Sequence, residues 1–199
     1  VFESILRHPA LYILSQRAVG ADRLRADCID LLGPRAAVLD VGCGPAYYLP
    51  RMPAVEYYGF DTEPRYIEYA QMRWGSRARF HCETYSERHL ATLPKFDGVL
   101  LMGLLHHLDD CEADSLLELV GKALTATGKV VTLDTCFDPK QPKFAAFLAR
   151  LDRGQFVRQS QAFLELAGKR FRHVEGQLVG GDFRSPSSQF RMLLTQPVA

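Results

Sequence analysis

The sequence predicts an α/β fold in which a mostly parallel sheet lies between two layers of helices. Three observations predict it. Short apolar runs alternate with stretches whose apolar residues recur at helical spacing, the pattern of strand–helix–strand units. The first such run, AAVLDV, is apolar at nearly every position, as a strand covered on both faces must be. The last two β-rich runs are separated by a Gly-, Ser- and Pro-containing loop, which suits an antiparallel pair.

Each element follows in order. Residues 8–20 form an amphipathic N-terminal segment carrying Tyr12 and Gln16. Ala21–Leu32 is a helix stopped by Gly33-Pro34. Ala36–Val41 is the first strand, closed by Gly42, and Val55–Phe60 the second. Pro64–Trp74 is a helix with Thr62 as N-cap and Pro64 in its first turn. Ala78–Cys82 and Phe96–Met102 are the third and fourth strands. Ser115–Leu124 carries one apolar helical face, and Lys129–Asp134 is the fifth strand. Lys143–Arg150 and Gln161–Leu166 read as helices, Arg170–Gln177 and Gln189–Thr195 as the terminal strand pair. The sum is a Rossmann-like three-layer sandwich, a mostly parallel seven-stranded sheet with an antiparallel last strand.

Composition narrows the function. The 199 residues suffice for one domain with a sizeable core, and 47% hydrophobic with 24% charged residues is ordinary for a soluble globular chain. A formal net charge of +1 gives no general support for nucleic acid binding, though it leaves room for a local basic patch. No apolar run approaches the roughly 20 residues of a membrane span, and the N-terminal segment lacks the order of a signal peptide. Cys28, Cys43, Cys82, Cys111 and Cys136 form no CxxC pair. Their odd count and scatter fit a reducing cytoplasm and no zinc knuckle. His8, His81, His89 and His173 lack metal-ligand spacing, so no metal is expected.

The informative segment is VLDVGCGPA, Val38–Ala46. A buried strand ends at Asp40-Val41. Gly42 and Gly44 then allow a sharp turn and a close backbone approach to a ligand. Pro45 fits the first turn of a following helix whose amides would point at that ligand. The second strand ends at Asp61, 19 positions after Gly42, the usual distance to a carboxylate that holds ribose hydroxyls. A dinucleotide site needs a small residue at the third fingerprint position, where this chain has Tyr47. A nicotinamide-dependent oxidoreductase is therefore the weaker reading.

From Val38 to Asp134 the sequence resembles the class I methyltransferases that use S-adenosylmethionine (SAM). VLDVGCGPA is similar to their glycine motif, GFDTEP to the acidic motif, FDGVLLMGLLHHLDD to the fourth-strand motif and LVGKALTATGKVVTLD to the following helix and strand. Ala10–Gly20 and Asp152–Arg158 resemble a bacterial small-molecule branch of that class, of methyltransferase type 11/12. The resemblance implies SAM as cofactor, S-adenosylhomocysteine (SAH) as product and a small-molecule substrate. It implies a division into a lid-like segment (1–20), a SAM-binding core (36–134), a substrate-side helical segment (137–166) and the strand pair (170–195). It also implies roles by position. Gly42, Cys43 and Gly44 would lie beside the methionine part of SAM. Asp40 would order that loop and help hold the ammonium. Asp61 would take the ribose hydroxyls, with Thr62 near the adenine. Met102 would line the pocket by its backbone. Two departures stand out. Thr84 occupies the position where such enzymes often place Asp against the adenine amino group. Ser187-Ser188 follow the Arg-x-Pro turn where this branch has an aromatic residue and a His.

Methyl transfer is an in-line attack on an activated carbon, so positioning supplies much of the rate, and a base is needed only if the acceptor must lose a proton. His106 and His107 sit just beyond the fourth strand, at the edge where ligands bind; His106 is the candidate base, and both could instead order their loop. Tyr12 and Gln16 would fold over the cofactor or pack on the sheet. An acceptor pocket would draw on Phe144, Phe147, Phe156 and Tyr12, with Arg153 or Arg158 at its rim, next to His106. Arg184 and Arg191 are further basic points for an anionic substrate, or surface residues. Trp74, Tyr57, Tyr58, Tyr66 and Tyr69 read as packing. A SAM-binding regulatory module without chemistry and a macromolecule methyltransferase remain as alternatives, the second without a basic domain to support it.

Overall fold

The computed structural model describes residues 8–18, 20–52, 54–138, 141, 143, 155–180 and 187–198. The strands are β1 (Ala37–Val41), β2 (Glu56–Phe60), β3 (Ala78–His81), β4 (Phe96–Met102), β5 (Leu124–Phe137), β6 (Arg158–Gln159), β7 (Phe171–Gly180) and β8 (Ser188–Pro197). The helices are α1 (Pro9–Ala18), α2 (Ala21–Leu32), α3 (Pro64–Trp74), α4 (Arg88–Thr92), α5 (Asp110–Ala123) and α6 (Ser160–Gly168). The sheet runs β3-β2-β1-β4-β5-β8-β7, with the two-residue β6 paired to the end of β5. Strands β1 to β5 pair in parallel, and β8 is antiparallel to both β5 and β7. This is the predicted Rossmann-like sandwich with its antiparallel last strand.

Alternation along the strands builds two cores. Leu39 and Val41 of β1 face one side, where Leu117 and Val120 of α5 and Phe163 and Leu166 of α6 cover them. Val38 and Leu100 face the other, under Ile29 and Leu32 of α2 and Ile67 and Ala70 of α3. All five residues of β1 are buried, which is why the run reads as continuously apolar. Among the described residues no helix is long and apolar enough to cross a membrane.

Four local expectations are corrected. No α-helix follows the glycine loop; Leu49–Arg51 makes a single 3-10 turn. Pro45 and Pro50 remove two amide donors there. Arg77 caps the turn instead, donating to the carbonyls of Leu49 (3.2 Å) and Met52 (2.9 Å). The N-cap of α3 is Glu63, whose side chain accepts from Arg65 N, rather than Thr62. Helix α5 begins at Asp110, five residues before its apolar face, because Asp109 and Glu112 form a reciprocal capping box. Strand β5 is longer than its apolar run, since Leu124 pairs with Phe96 beyond a bulge. The predicted helix Lys143–Arg150 lies outside the described residues, Lys143 excepted.

Candidate active site

The glycine loop is tied to the end of β2 by backbone. Gly42 N and Cys43 N both donate to Phe60 O, at 2.8 and 3.0 Å. Gly42 and Gly44 have φ of 76° and 54°, the left-handed region that glycine enters without strain. Space is tight as well: a Cβ on Gly42 would stand 3.3 Å from Leu104 Cδ1, which would have to shift by a few tenths of an ångström. Asp61 then locks the turn. Its Oδ2 accepts from Gly44 N (2.8 Å) and its Oδ1 from Glu63 N (2.9 Å). Burial raises the Asp61 carboxyl pKa, and these two amides act against that rise.

A cavity of about 1000 Å³ opens at this edge of the sheet. Gly42, Gly44, Asp61, Thr62, Thr84 and Met102 all line it, with Tyr12 reaching in from α1. The Tyr12 ring meets the Tyr66 ring at 5.1 Å between centroids. Its Cε1 lies 3.7 Å from where a Gly44 Cβ would be. These seven predicted site residues border one space, at the ends of β1, β2, β3 and β4 and on α1.

Residues 38–128 match the sequence profile of a methyltransferase domain family. That stretch, a little under half of the chain, is similar to methyltransferase domains. Among the solved structures that share the chain's fold are three methyltransferases. Human N-acetylserotonin methyltransferase in complex with SAM superposes with a TM-score of 0.68 at 16% identity, over 99% of this chain and 59% of that protein. The N-methyltransferase NodS from Bradyrhizobium japonicum, bound to SAH, gives 0.67 at 18% identity, over 88% of this chain and 87% of NodS. The plantazolicin methyltransferase BpumL, bound to a pentazolic desmethylPZN analog and SAH, gives 0.67 at 14% identity, over 94% and 90%. No curated protein matches the sequence.

Four predicted site residues stand behind the cavity wall. Asp40 is fully buried and takes the hydroxyls of Tyr48 (2.9 Å) and Tyr57 (2.5 Å) on Oδ2. Tyr48 follows the glycine loop, so this bond ties that segment to β1. Burial raises the Asp40 carboxyl to about 6, against the pull of the two phenols. The Cys43 side chain points into the α2–α3 core, near Gly59, and burial pushes its thiol well up. Gln16 accepts from Arg25 at 2.8 Å instead of facing the cavity. His106 is buried, with Nδ1 2.9 Å from Asp134 Oδ1, and its own N–H donates to the same oxygen at 3.2 Å. The neighbouring histidine, His107, lines the cavity, its ring 4.3 Å from that of His106.

Arg158 is not a rim residue of the cavity. Its guanidinium donates to the carbonyls of Leu105 (2.7 Å) and Leu108 (2.8 Å) and pairs with Asp110 at 2.7 Å. Phe156 N donates to His106 O at 3.0 Å, so residues 156–158 staple the His106 turn. Arg191 bonds Gln177 across the β7–β8 pair. Phe144, Phe147, Arg153 and Arg184 lie outside the described residues.

Sequence reasoning missed Tyr66 and Tyr85 as lining residues, and Asp134 and Arg25 as supports. Tyr66 sits in the first turn of α3, five residues after Asp61, a spacing that marks it once the turn is known. Phe60 stacks on His81 at 4.4 Å and meets Tyr85 edge-on at 5.1 Å, forming an aromatic floor at the Thr84 end. Burial lowers the pKa of His81 and His89 beside it.

Proposed function

We propose that this protein is a methyltransferase that moves the methyl group of SAM to a small-molecule acceptor by in-line displacement at the sulfonium carbon, leaving SAH. One observation carries this reading: the Gly42–Gly44 turn and the Asp61 carboxylate face the same cavity and are hydrogen-bonded to each other. The donor set fits the group. Asp61 accepts the ribose hydroxyls, Thr62 and Thr84 contact the adenine, and Gly42 and Gly44 admit the methionine chain. The Met102 backbone forms the floor, and Tyr12 covers the side nearest the glycine loop. SAM supplies a carbon that is already activated, so the protein's task is to align the acceptor and exclude water.

His106 is the proposed base. With Nδ1–H donated to Asp134, Nε2 is the basic nitrogen, suited to take a proton from a hydroxyl or amine. The ring stands close behind Gly103, which lines the cavity: a Cβ on Gly103 would be 3.8 Å from Cε1. Residues 1–199 act as one domain in this reading, with α1 as its lid. Five cysteines in a chain without a CxxC pair fit a reducing compartment, the cytoplasm.

Calorimetry tests the cofactor. SAM and SAH should bind, and NAD should show no comparable binding. Tight NAD binding without SAM binding would end the reading. Turnover of SAM with a panel of phenols and amines tests the chemistry, and His106→Ala should then lower kcat by about 10²–10⁴-fold with a deprotonating acceptor.

A further inference from the structure

Arg25 carries a charge into the interior that the cofactor reading does not use. It lies on α2 with 6% of its surface exposed. Buried charges are normally met by an opposite charge. Among the described residues no carboxylate forms an ion pair with Arg25. Neutral oxygens and aromatic faces meet it instead. Nη1 donates to Gln16 Oε1 (2.8 Å) and Tyr47 OH (3.0 Å), and Nη2 lies 3.5 Å from Tyr12 OH. The guanidinium carbon stands 5.7 and 5.8 Å from the ring centroids of Tyr47 and Tyr48, within cation–π range. Nε is buried and has no partner among the described residues.

These partners belong to two segments. Tyr12 and Gln16 are on α1; Tyr47 and Tyr48 follow the glycine loop. The guanidinium is the node between them. Apolar burial does little for α1, because Pro9 is its one buried residue, while Leu11 and Leu14 are 42% and 63% exposed. A ten-residue helix is marginal by itself in water. Besides an exposed Arg17–Asp22 ion pair, what fastens α1 is the Tyr12–Tyr66 ring contact and the bonds that reach Arg25.

We propose that Arg25 is a positioning residue that holds α1 closed over the cofactor cavity, acting through Tyr12 and Gln16. A planar fork suits this task, since one group must meet acceptors on two segments in fixed directions, which an ammonium cannot do. The proposal rests on the SAM reading for its ligand. By linkage, a ligand that α1 helps enclose must in turn tighten α1.

The test uses the full chain, with hydrogen exchange of residues 9–18 measured with and without SAH, and SAH affinity by calorimetry. In the wild type, SAH should slow α1 exchange. Arg25→Lys should speed α1 exchange about tenfold without ligand, leave β1 and β4 amides protected, and weaken SAH about tenfold. With any accepted substrate, KM for SAM should rise while kcat at saturating SAM stays within about threefold. Gln16→Leu, which leaves Arg25 and the core in place, should move both readings the same way and decides the matter if Arg25→Lys fails to fold. Folded variants with α1 exchange and SAH affinity within twofold of wild type overturn the proposal. So does a loosened α1 with unchanged SAH affinity. A wild type that binds no SAH overturns the SAM reading instead, and α1 exchange in unliganded Gln16→Leu still decides whether Arg25 fastens the helix.

Discussion

Asp61 accepts amides from two segments, Gly44 of the loop and Glu63 ahead of α3, and still faces the cavity. Replacing it removes both a ligand partner and a loop tether. Asp61→Ala should weaken SAH by about 1.5–3 kcal/mol, the scale of hydrogen bonds to a charged group, as read by calorimetry on the folded variant. Gly59 makes a steric counterpart. A Cβ there would stand 2.9 Å from both Cys43 Sγ and Phe80 Cδ1, in a β2 position packed between neighbours on both sides. Gly59→Ala should lose about 1–3 kcal/mol in denaturant unfolding through overpacking. At this scale the sequence was legible where chemistry is local. Gly42, Gly44 and Asp61 are marked by strand ends and spacing. Gln16, Cys43 and Arg158 were not, because the direction of a side chain depends on what packs beside it, and nothing near Arg25 in sequence shows that two segments meet on it.

At the scale of elements, periodicity found the buried faces and missed the polar ends. The apolar stripe of α5 begins at Ser115, yet Asp109 and Glu112 start the helix before any residue must be buried. Asp109→Ala should cost about 0.5–2 kcal/mol of stability, measured by chemical denaturation. The glycine loop misled in the opposite sense: Pro45 is compatible with a helix start, but with Pro50 five residues on, the chain turns once and stops. The terminal strands were read correctly because their run lengths and the loop between them admit one simple pairing, β7 with β8.

For the molecule as a whole, titration offers a test with two opposing signs. His81 and His89 have lowered pKa values, so the unfolded chain takes their protons more readily. Their contribution is complete above about pH 6.5 and is lost as pH falls below it. Asp40 runs the other way. Its carboxyl sits at about 6 against an ordinary 3.8, so the folded state gains a proton that the unfolded chain gives up. That stabilisation is full below 3.8 and lost as pH rises through about 6. Asp40→Asn should therefore steepen the loss of stability between about pH 6 and pH 4, in denaturant titrations taken across that range.

The insertion of β8 between β5 and β7 has a consequence for how the protein is made. Residues 188–197 emerge from the ribosome after the rest of the sheet, yet they pair with strands on both sides and bury Phe190, Met192 and Leu194. Until they arrive, the nascent chain presents the open side of the 14-residue β5, and β7 has no neighbour to pair with among the described strands. Unpaired edges of that length invite association with other chains. A stop codon after Ser187 should give a product that is synthesised at normal levels but recovered in the insoluble fraction.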